Sequence, residues 1–313
     1  MYRRLMVPLD GMVDCQHAIP LALSIAARDH AVVELVHVAM PPSMAAQMAA
    51  PGLEYYSSIS LDQQAISEAR STAERDLLAL AAEAGQATDV HVESIVLDRS
   101  DVARAIAEYA EESQPDLVIM TTHDHSRLER LVLGSVPESV VRRVHVPVVL
   151  VPGGHEKPSF TRRIAIDHIL VPLDGSELAA TVTPHARALA KTMDSRITLF
   201  TVAEEGMIPP PPGLAAHDGI LEPSAVDART FLTQASAEFR GAGIPTETSV
   251  VIARDRARAI LDFAEHNAVD LIAMSTHGRR GLGRLVAGSV AAKVLRHAKV
   301  PVMLYRPPQQ GEG

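Results

Sequence analysis

The feature that most narrows the possible folds is an internal duplication across the 313 residues. RRLMVPLDG (3–11) returns as DHILVPLDG (167–175), and DLVIMTTH (116–123) returns as DLIAMSTH (270–277). RLVLGSV (130–136) answers RLVAGSV (284–290), and HVPVVLV (145–151) answers KVPVMLY (299–305). The Asp of VPLDG recurs 164 residues later and the Ser of GSV 154 residues later, so the halves are colinear and the first is ten residues longer. VELVHVA against ITLFTVA keeps the offset of 164, whereas RDLLAL against RTFLTQ has dropped to 154. The extra residues therefore fall in the loop region of roughly 40–60. A repeat this long is a duplicated domain, in line with about two domains for this length.

Each half alternates short apolar runs with helical patterns. In the second half the runs are HILVPL, RITLFTVA, PTETSVVI, DLIAMST and VPVMLY, with helices expected near 176–193, 224–241, 255–267 and 288–297. Runs of four to eight residues without polar alternation suit strands buried on both faces, as in a parallel sheet. Ser176 and Ser224 stand where helix N-caps belong. The fold class is α/β: two tandem doubly wound domains, each a five-stranded parallel sheet with helices on both faces. The predicted boundaries are 1–152, a Gly-, Pro- and charge-rich linker at 153–163 (GGHEKPSFTRR), 164–306, and a tail at 307–313.

Composition removes some functions. A net charge of −9 and an aromatic content of 3% without Trp argue against nucleic acid as a partner, which needs a positive field or stacking platforms. The single cysteine, Cys15, excludes an intramolecular disulfide, fits a reducing compartment, and reads as a helix residue without special chemistry. The opening MYRRLMVPLDG is too short for a signal-peptide core, and no stretch approaches the roughly 20 apolar residues that span a bilayer. The chain reads as soluble and cytoplasmic, with no membrane partner.

STHGRRGLGRLVAGSV (275–290) raises the question of a ligand. In open α/β sheets, ligands sit beyond the carboxyl ends of the strands where strand order reverses, and the loops leaving strands 1 and 4 meet there. Gly288 and Ser289 open a helix whose free N–H groups and positive dipole end favour an anion. Gly278, Gly281 and Gly283 permit close backbone approach, and Arg279, Arg280 and Arg284 add positive charge. The pattern reads as a nucleotide phosphate cradle. It is not a Walker A loop, because no GKS or GKT follows. Nor is it the dinucleotide fingerprint, because it follows the fourth strand rather than the first.

These residues resemble the universal stress proteins in tandem form. Nucleotide-binding members carry G-x2-G-x9-G-(S/T); here Ser275 stands at the first glycine, Gly278 at the second, and Gly288–Ser289 close the motif. VPLDGS, T-H-G-R-R and the closing VPVMLY are also similar to that family. The resemblance implies strand order 3-2-1-4-5 and binding of ATP or a related adenine nucleotide (ADP, AMP), with Mg or Mn carried in on the phosphates and no metal cage of the protein's own. It implies Asp174 near the ribose, the backbone of Val202 facing the adenine, and Gly278, Gly288 and Ser289 on the phosphates. It further implies pairing of the two halves through their closing strands, which would otherwise be exposed edges, with a homodimer as a further level.

The first half retains Asp10, Val38, Gly134 and Ser135 as a second, weaker site, with Thr121 and Asp124 at the other motif positions. A carboxylate about 4 Å from a phosphate costs at most on the order of 4 kcal/mol at an effective dielectric near 20, and a third of that weakens binding about tenfold. His123, Asp124 and His125 have a zinc-like look, but His277 matches His123 within the turn, so they read as turn residues rather than a metal site. The loops after the second strands, AMPPSMAAQMAAPGLEYYSS and EEGMIPPPPGLAAHDGILEPS, read as variable surface loops, with a lid or docking surface as the sharper alternative. No Ser-His-Asp order, paired carboxylates or H-E-x-x-H is present. The favoured reading is thus a nucleotide-responsive stress or signalling protein with partners not specified by sequence. A slow ATPase or other nucleotide hydrolase, and a scaffold without a working site, are the alternatives.

Overall fold

The computed structural model describes residues 1–9, 13–39, 63–98, 101–122, 135–154, 156–203, 225–276 and 288–307. The chain divides into unit 1, Met1–Ala165, and unit 2, Ile166–Gly313.

Unit 1 runs β1 (Arg4–Leu9), a 3-10 turn (Val13–Ala18), α1 (Ile19–Asp29), β2 (Val32–Ala39), α2 (Gln63–Thr88), β3 (Val92–Asp98), α3 (Val102–Ser113), β4 (Leu117–Thr122), α4 (Ser135–Arg143) and β5 (Val148–Pro152). Its strands are parallel in the order β3-β2-β1-β4-β5. Unit 2 runs β6 (His168–Pro172), α5 (Glu177–Ala180), α6 (Thr183–Met193), β7 (Arg196–Ala203), α7 (Ala225–Gly241), β8 (Thr246–Ile252), α8 (Arg256–His266), β9 (Leu271–Ser275), α9 (Ser289–His297) and β10 (Val302–Tyr305). Its strands are parallel in the order β8-β7-β6-β9-β10. The expected order 3-2-1-4-5 thus appears in each unit. Leu5, Met6 and Val7 of β1 and Ile169, Leu170 and Val171 of β6 are fully buried, as central strands covered on both faces must be.

Helix starts follow their caps. Asp101 Oδ1 accepts the Arg104 N–H at 3.0 Å, and Asp255 Oδ1 accepts the Arg258 N–H at 3.1 Å, 154 residues apart. On α3, Ala103, Ile106, Ala107 and Ala110 are buried; on α8, Ala257, Ile260 and Ala264 are, which is the helical spacing of a core-facing stripe. Arg104 and Arg258 lie outside it, paired with Glu108 (2.7 Å) and Asp262 (3.3 Å) one turn on. The duplication reaches backbone detail: left-handed residues end α1 (His30, φ 55°) and α6 (Asp194, φ 60°) at the same repeat position.

The helix expected over 176–193 is broken in two. Ser176 caps α5 as expected, its Oγ accepting the Ala179 N–H at 3.0 Å. Pro184 then sits in the first turn of α6, where its missing N–H is harmless but where an uninterrupted helix would lose a bond. Pro20 starts α1 in the same way after the 3-10 turn. The segment read as a linker is tied to unit 1. Lys157 pairs with Glu83 (2.9 Å) and Phe160 is buried, and just past the segment the Ile164 N–H donates to Ser24 Oγ (2.8 Å). Gly154 packs so closely on His17 that a Cβ there would lie 2.9 Å from Nε2. Among the described residues no helix is long and apolar enough to cross a membrane.

Candidate functional site

In unit 2 the sheet order changes direction between β6 and β9, so the carboxyl ends of these strands flank a crevice. Four chain segments border it: Leu173–Ser176 after β6, the end of β7, Ser275–Thr276 at the end of β9, and Gly288–Ser289 at the start of α9.

The turn after β6 is braced by its own side chains. Asp174 Oδ1 accepts both the Ser176 N–H (2.9 Å) and the Ser176 hydroxyl (2.6 Å). Between them Gly175 takes φ +81°, a conformation that residues with a Cβ rarely adopt. This is the physical reason for DGS: a carboxylate held fixed at the strand end, followed by a cap that starts α5.

Val202 lies at the end of β7. Along this strand Arg196 and Phe200 exchange bonds with the β6 side, while Ile197 and Ala203 do so with the β8 side. Alternation therefore turns the Val202 N–H and C=O towards β6, which has already ended, and so towards the crevice. The buried Thr201 hydroxyl donates to Leu173 O at 2.7 Å and ties the end of β7 to the residue after β6.

Ser275, placed on the phosphates by motif position, has a buried hydroxyl that faces the other way. It donates to Ala179 O (3.3 Å) and shares a hydrogen bond with Thr181 Oγ1 (2.9 Å). In unit 1 Thr121 Oγ1 donates to Cys15 O (2.8 Å) and accepts from the Ala18 N–H (3.0 Å). Cys15 and Ala179 are repeat equivalents, so a hydroxyl clamp between strand 4 and the turn after strand 1 is common to both units. Sequence reasoning missed this clamp, although the Thr/Ser column at the first motif glycine was its visible signal.

Gly288 caps α9 at φ −54° and donates its N–H to Thr276 O at 2.5 Å. That bond brings the chain at Gly288 back against the end of β9, which sets the α9 N-terminus over the crevice. With the Gly288 N–H engaged, the donors aimed outward are the first free N–H groups of α9 and the hydroxyl of Ser289, which is exposed. His185 packs against Tyr305 with ring centroids 4.1 Å apart and the rings tilted at 45°, and burial pushes its pKa below the ordinary histidine value. Among the described residues no group of three or more His, Cys, Asp or Glu side chains is placed to hold a metal ion.

The structure thus brings together Asp174, Val202, Gly288 and Ser289 around one crevice, with Ser275 behind its wall. Gly278, His277 and the arginines of the glycine-rich stretch lie outside the described residues, as do Ser224 and the loop at 204–224. In unit 1, Val38 is buried at the end of β2 and Ser135 opens α4 with its side chain exposed. Asp10, Gly134, Asp124, His123, His125 and most of the loop at 39–58 lie outside the described residues.

The family model of the universal stress protein family matches residues 1–152 and again 165–306. A universal stress protein of Methanocaldococcus jannaschii is 31% identical over 144 residues, covering 45% of this chain and 83% of the relative. One of Mycobacterium bovis is 24% identical over 207 residues, covering 65% and 68%. The crystal structure of a universal stress protein from Archaeoglobus fulgidus aligns over 98% of this chain and 97% of its own with a TM-score of 0.68 at 19% identity, a likeness of fold. With a duplicated doubly wound fold and two matches that together span nearly its whole length, the chain belongs to the universal stress protein family, as a tandem of two such domains.

Proposed function

We propose that the protein binds ATP, or ADP or AMP, in the crevice of unit 2, and that it acts in the cytoplasm as a nucleotide-responsive stress or signalling protein. The observation that carries this reading is the Gly288–Thr276 hydrogen bond, which holds the N-terminus of a nine-residue helix over the switch-point crevice. An anion there meets free N–H groups, the Ser289 hydroxyl and the positive end of the helix dipole. Asp174 is pre-set to accept from a ribose hydroxyl, and the Val202 backbone offers one donor and one acceptor to a base edge. These donors suit the phosphates themselves; a divalent ion such as Mg or Mn would come in on the phosphate oxygens and supply charge neutralisation.

Unit 1 is the weaker site in this reading, from the Asp124 and glycine-poor loop of its sequence. A binding role is favoured over hydrolysis because Asp174, the carboxylate at the crevice, is already engaged in bracing the turn at Ser176. Calorimetric titration with ATP, ADP and AMP in magnesium tests it, on the wild type and on Gly288→Val. The backbone at Gly288 admits valine (φ −54°), so the substitution crowds the anion position. Expected is a stoichiometry near one, lost in the variant. Two equal tight sites would remove the assignment to unit 2, and no binding by the wild type would leave the scaffold reading.

A further inference from the structure

One position at the strand-end crevice is chemically different in the two units while making the same bond. In unit 2 the Thr201 hydroxyl donates to Leu173 O at 2.7 Å. In unit 1 the residue 164 positions earlier is His37, and its Nδ1 bonds Leu9 O at 3.0 Å. Leu9 and Leu173 are themselves repeat equivalents. A carbonyl can only accept, so Nδ1 carries the proton, and Nε2 is turned away from the strand.

The two side chains occupy this place differently. Thr201 is 3% exposed, and the residue partly exposed at the end of β7 is Val202. At the end of β2 it is His37 that is partly exposed, and Val38 that is buried. The threonine lies flush beneath its strand end. The imidazole, anchored to the same carbonyl through Nδ1, is the larger group and keeps part of its surface exposed at the strand end.

We infer that this position decides which unit admits a purine base: Thr201 leaves the base side of the crevice in unit 2 open, and the His37 ring narrows it in unit 1. This rests on the adenine-nucleotide reading of unit 2 and deepens it, adding a steric cause of asymmetry on the base side to the phosphate-side cause read from Asp124.

The test moves the ring into the working site. The repeat shows that this fold accepts a histidine anchored to the strand-1 carbonyl, so Thr201→His retains a partner for Leu173 O. ATP binding by Thr201→His is expected to weaken about tenfold or more, about 1.4 kcal/mol. Thr201→Val, which loses the hydroxyl at nearly constant volume, should stay within about threefold of wild type. Circular dichroism and thermal unfolding of each variant report the fold. Unchanged or tighter binding by Thr201→His overturns the inference, and so does an equal loss in Thr201→Val, which would assign the effect to the hydrogen bond. If Thr201→His does not fold, the reverse change decides. With Asp124→Gly and Gly288→Val both present, so that the phosphate-side cause is removed and unit 2 is silent, adding His37→Thr should tighten ATP binding about tenfold, and unchanged binding overturns the inference. If the wild type binds no nucleotide, the functional reading itself fails, which is distinct from wild-type binding that Thr201→His leaves untouched.

Discussion

At the opposite ends of these strands the two units solve one packing problem with different chemistry. In unit 2 His168 on β6 lies between Thr198 on β7 and the end of α8. Its Nε2 is 2.8 Å from Thr198 Oγ1, and Nδ1 is 3.1 Å from Asn267 O. The equivalent residues of unit 1 are Arg4, Glu34 and Ser113, with Tyr109 where unit 2 has Phe263. Arg4 Nη1 is paired with Glu34 Oε1, Glu34 is fully buried, and Glu34 Oε2 and Ser113 Oγ are buried without hydrogen-bond partners. A neutral, satisfied pair has thus become an ionic, partly unsatisfied one inside the same backbone. Burial of an ion pair is weak support for stability, because desolvation offsets much of the attraction. The comparison teaches that the duplicated sheet tolerates either solution, but that only unit 1 depends on keeping both partners.

The largest effect should come from removing one partner. Arg4→Ala leaves the Glu34 carboxylate buried and uncompensated. A fully buried pair broken this way loses about 3–5 kcal/mol. Arg4 is 43% exposed on its side chain, so solvent screens it and the loss should be nearer about 2 kcal/mol. The double change Arg4→His with Glu34→Thr imports the neutral pair of unit 2 and should recover most of that loss. Native-state hydrogen exchange of the β1–β2 amides in the full chain measures both. A double variant no more protected than Arg4→Ala would show that the ionic pair was a net stabiliser.

Next come the hydroxyl clamps. Thr121→Val strips a buried carbonyl, Cys15 O, and a buried N–H, Ala18, of their partner together, which should cost about 2 kcal/mol. Ser275→Ala should cost about 1 kcal/mol, because Thr181 Oγ1 still donates to Leu178 O at 2.6 Å. Exchange at β4 compared with β9 reads the pair, and equal losses would mean that the clamps are not graded by their satisfied partners.

Much of this comparison was present in the sequence. The offsets of 164 and 154 gave the duplication, the strand order followed from the motif resemblance, and the crevice followed from topology. VELVHVA against ITLFTVA already aligned Glu34 with Thr198 and His37 with Thr201. What those columns meant was hidden, because each bond joins neighbouring parallel strands, and parallel partners are separated by a whole crossover in sequence. The break in the helix at 176–193 was missed for another reason: its apolar spacing continues through Pro184, and a first-turn proline is compatible with a helix start as well as with a capped end. The inward turn of Ser275 needed the position of Ala179, 96 residues away along the chain.

The smallest effects should separate the units by the sign of their pH dependence. Burial raises the pKa of Glu34 above the ordinary glutamate value, against the pull of Arg4, with Glu93 adding to the rise. The folded state therefore holds the proton more tightly than the unfolded one. This part of unit 1's stability is full below the ordinary glutamate value and is lost as pH rises through the raised folded value. Burial lowers the pKa of His168 below 6.5, with the charge of Arg196 adding to it and the Asn267 carbonyl and Asp270 opposing it. Here the unfolded state holds the proton more tightly, so the contribution is full above the ordinary histidine value and is lost as pH falls through the lowered folded value. Exchange protection should thus decline towards higher pH at β1–β2 and towards lower pH at β6–β7. Glu34→Gln should flatten the first trend. His168→Gln should only reduce the second, because His185, also lowered by burial, contributes with the same sign. Parallel pH trends in the two sheets would mean that the ionic and neutral clusters titrate alike, and the contrast between the units would then be one of packing alone.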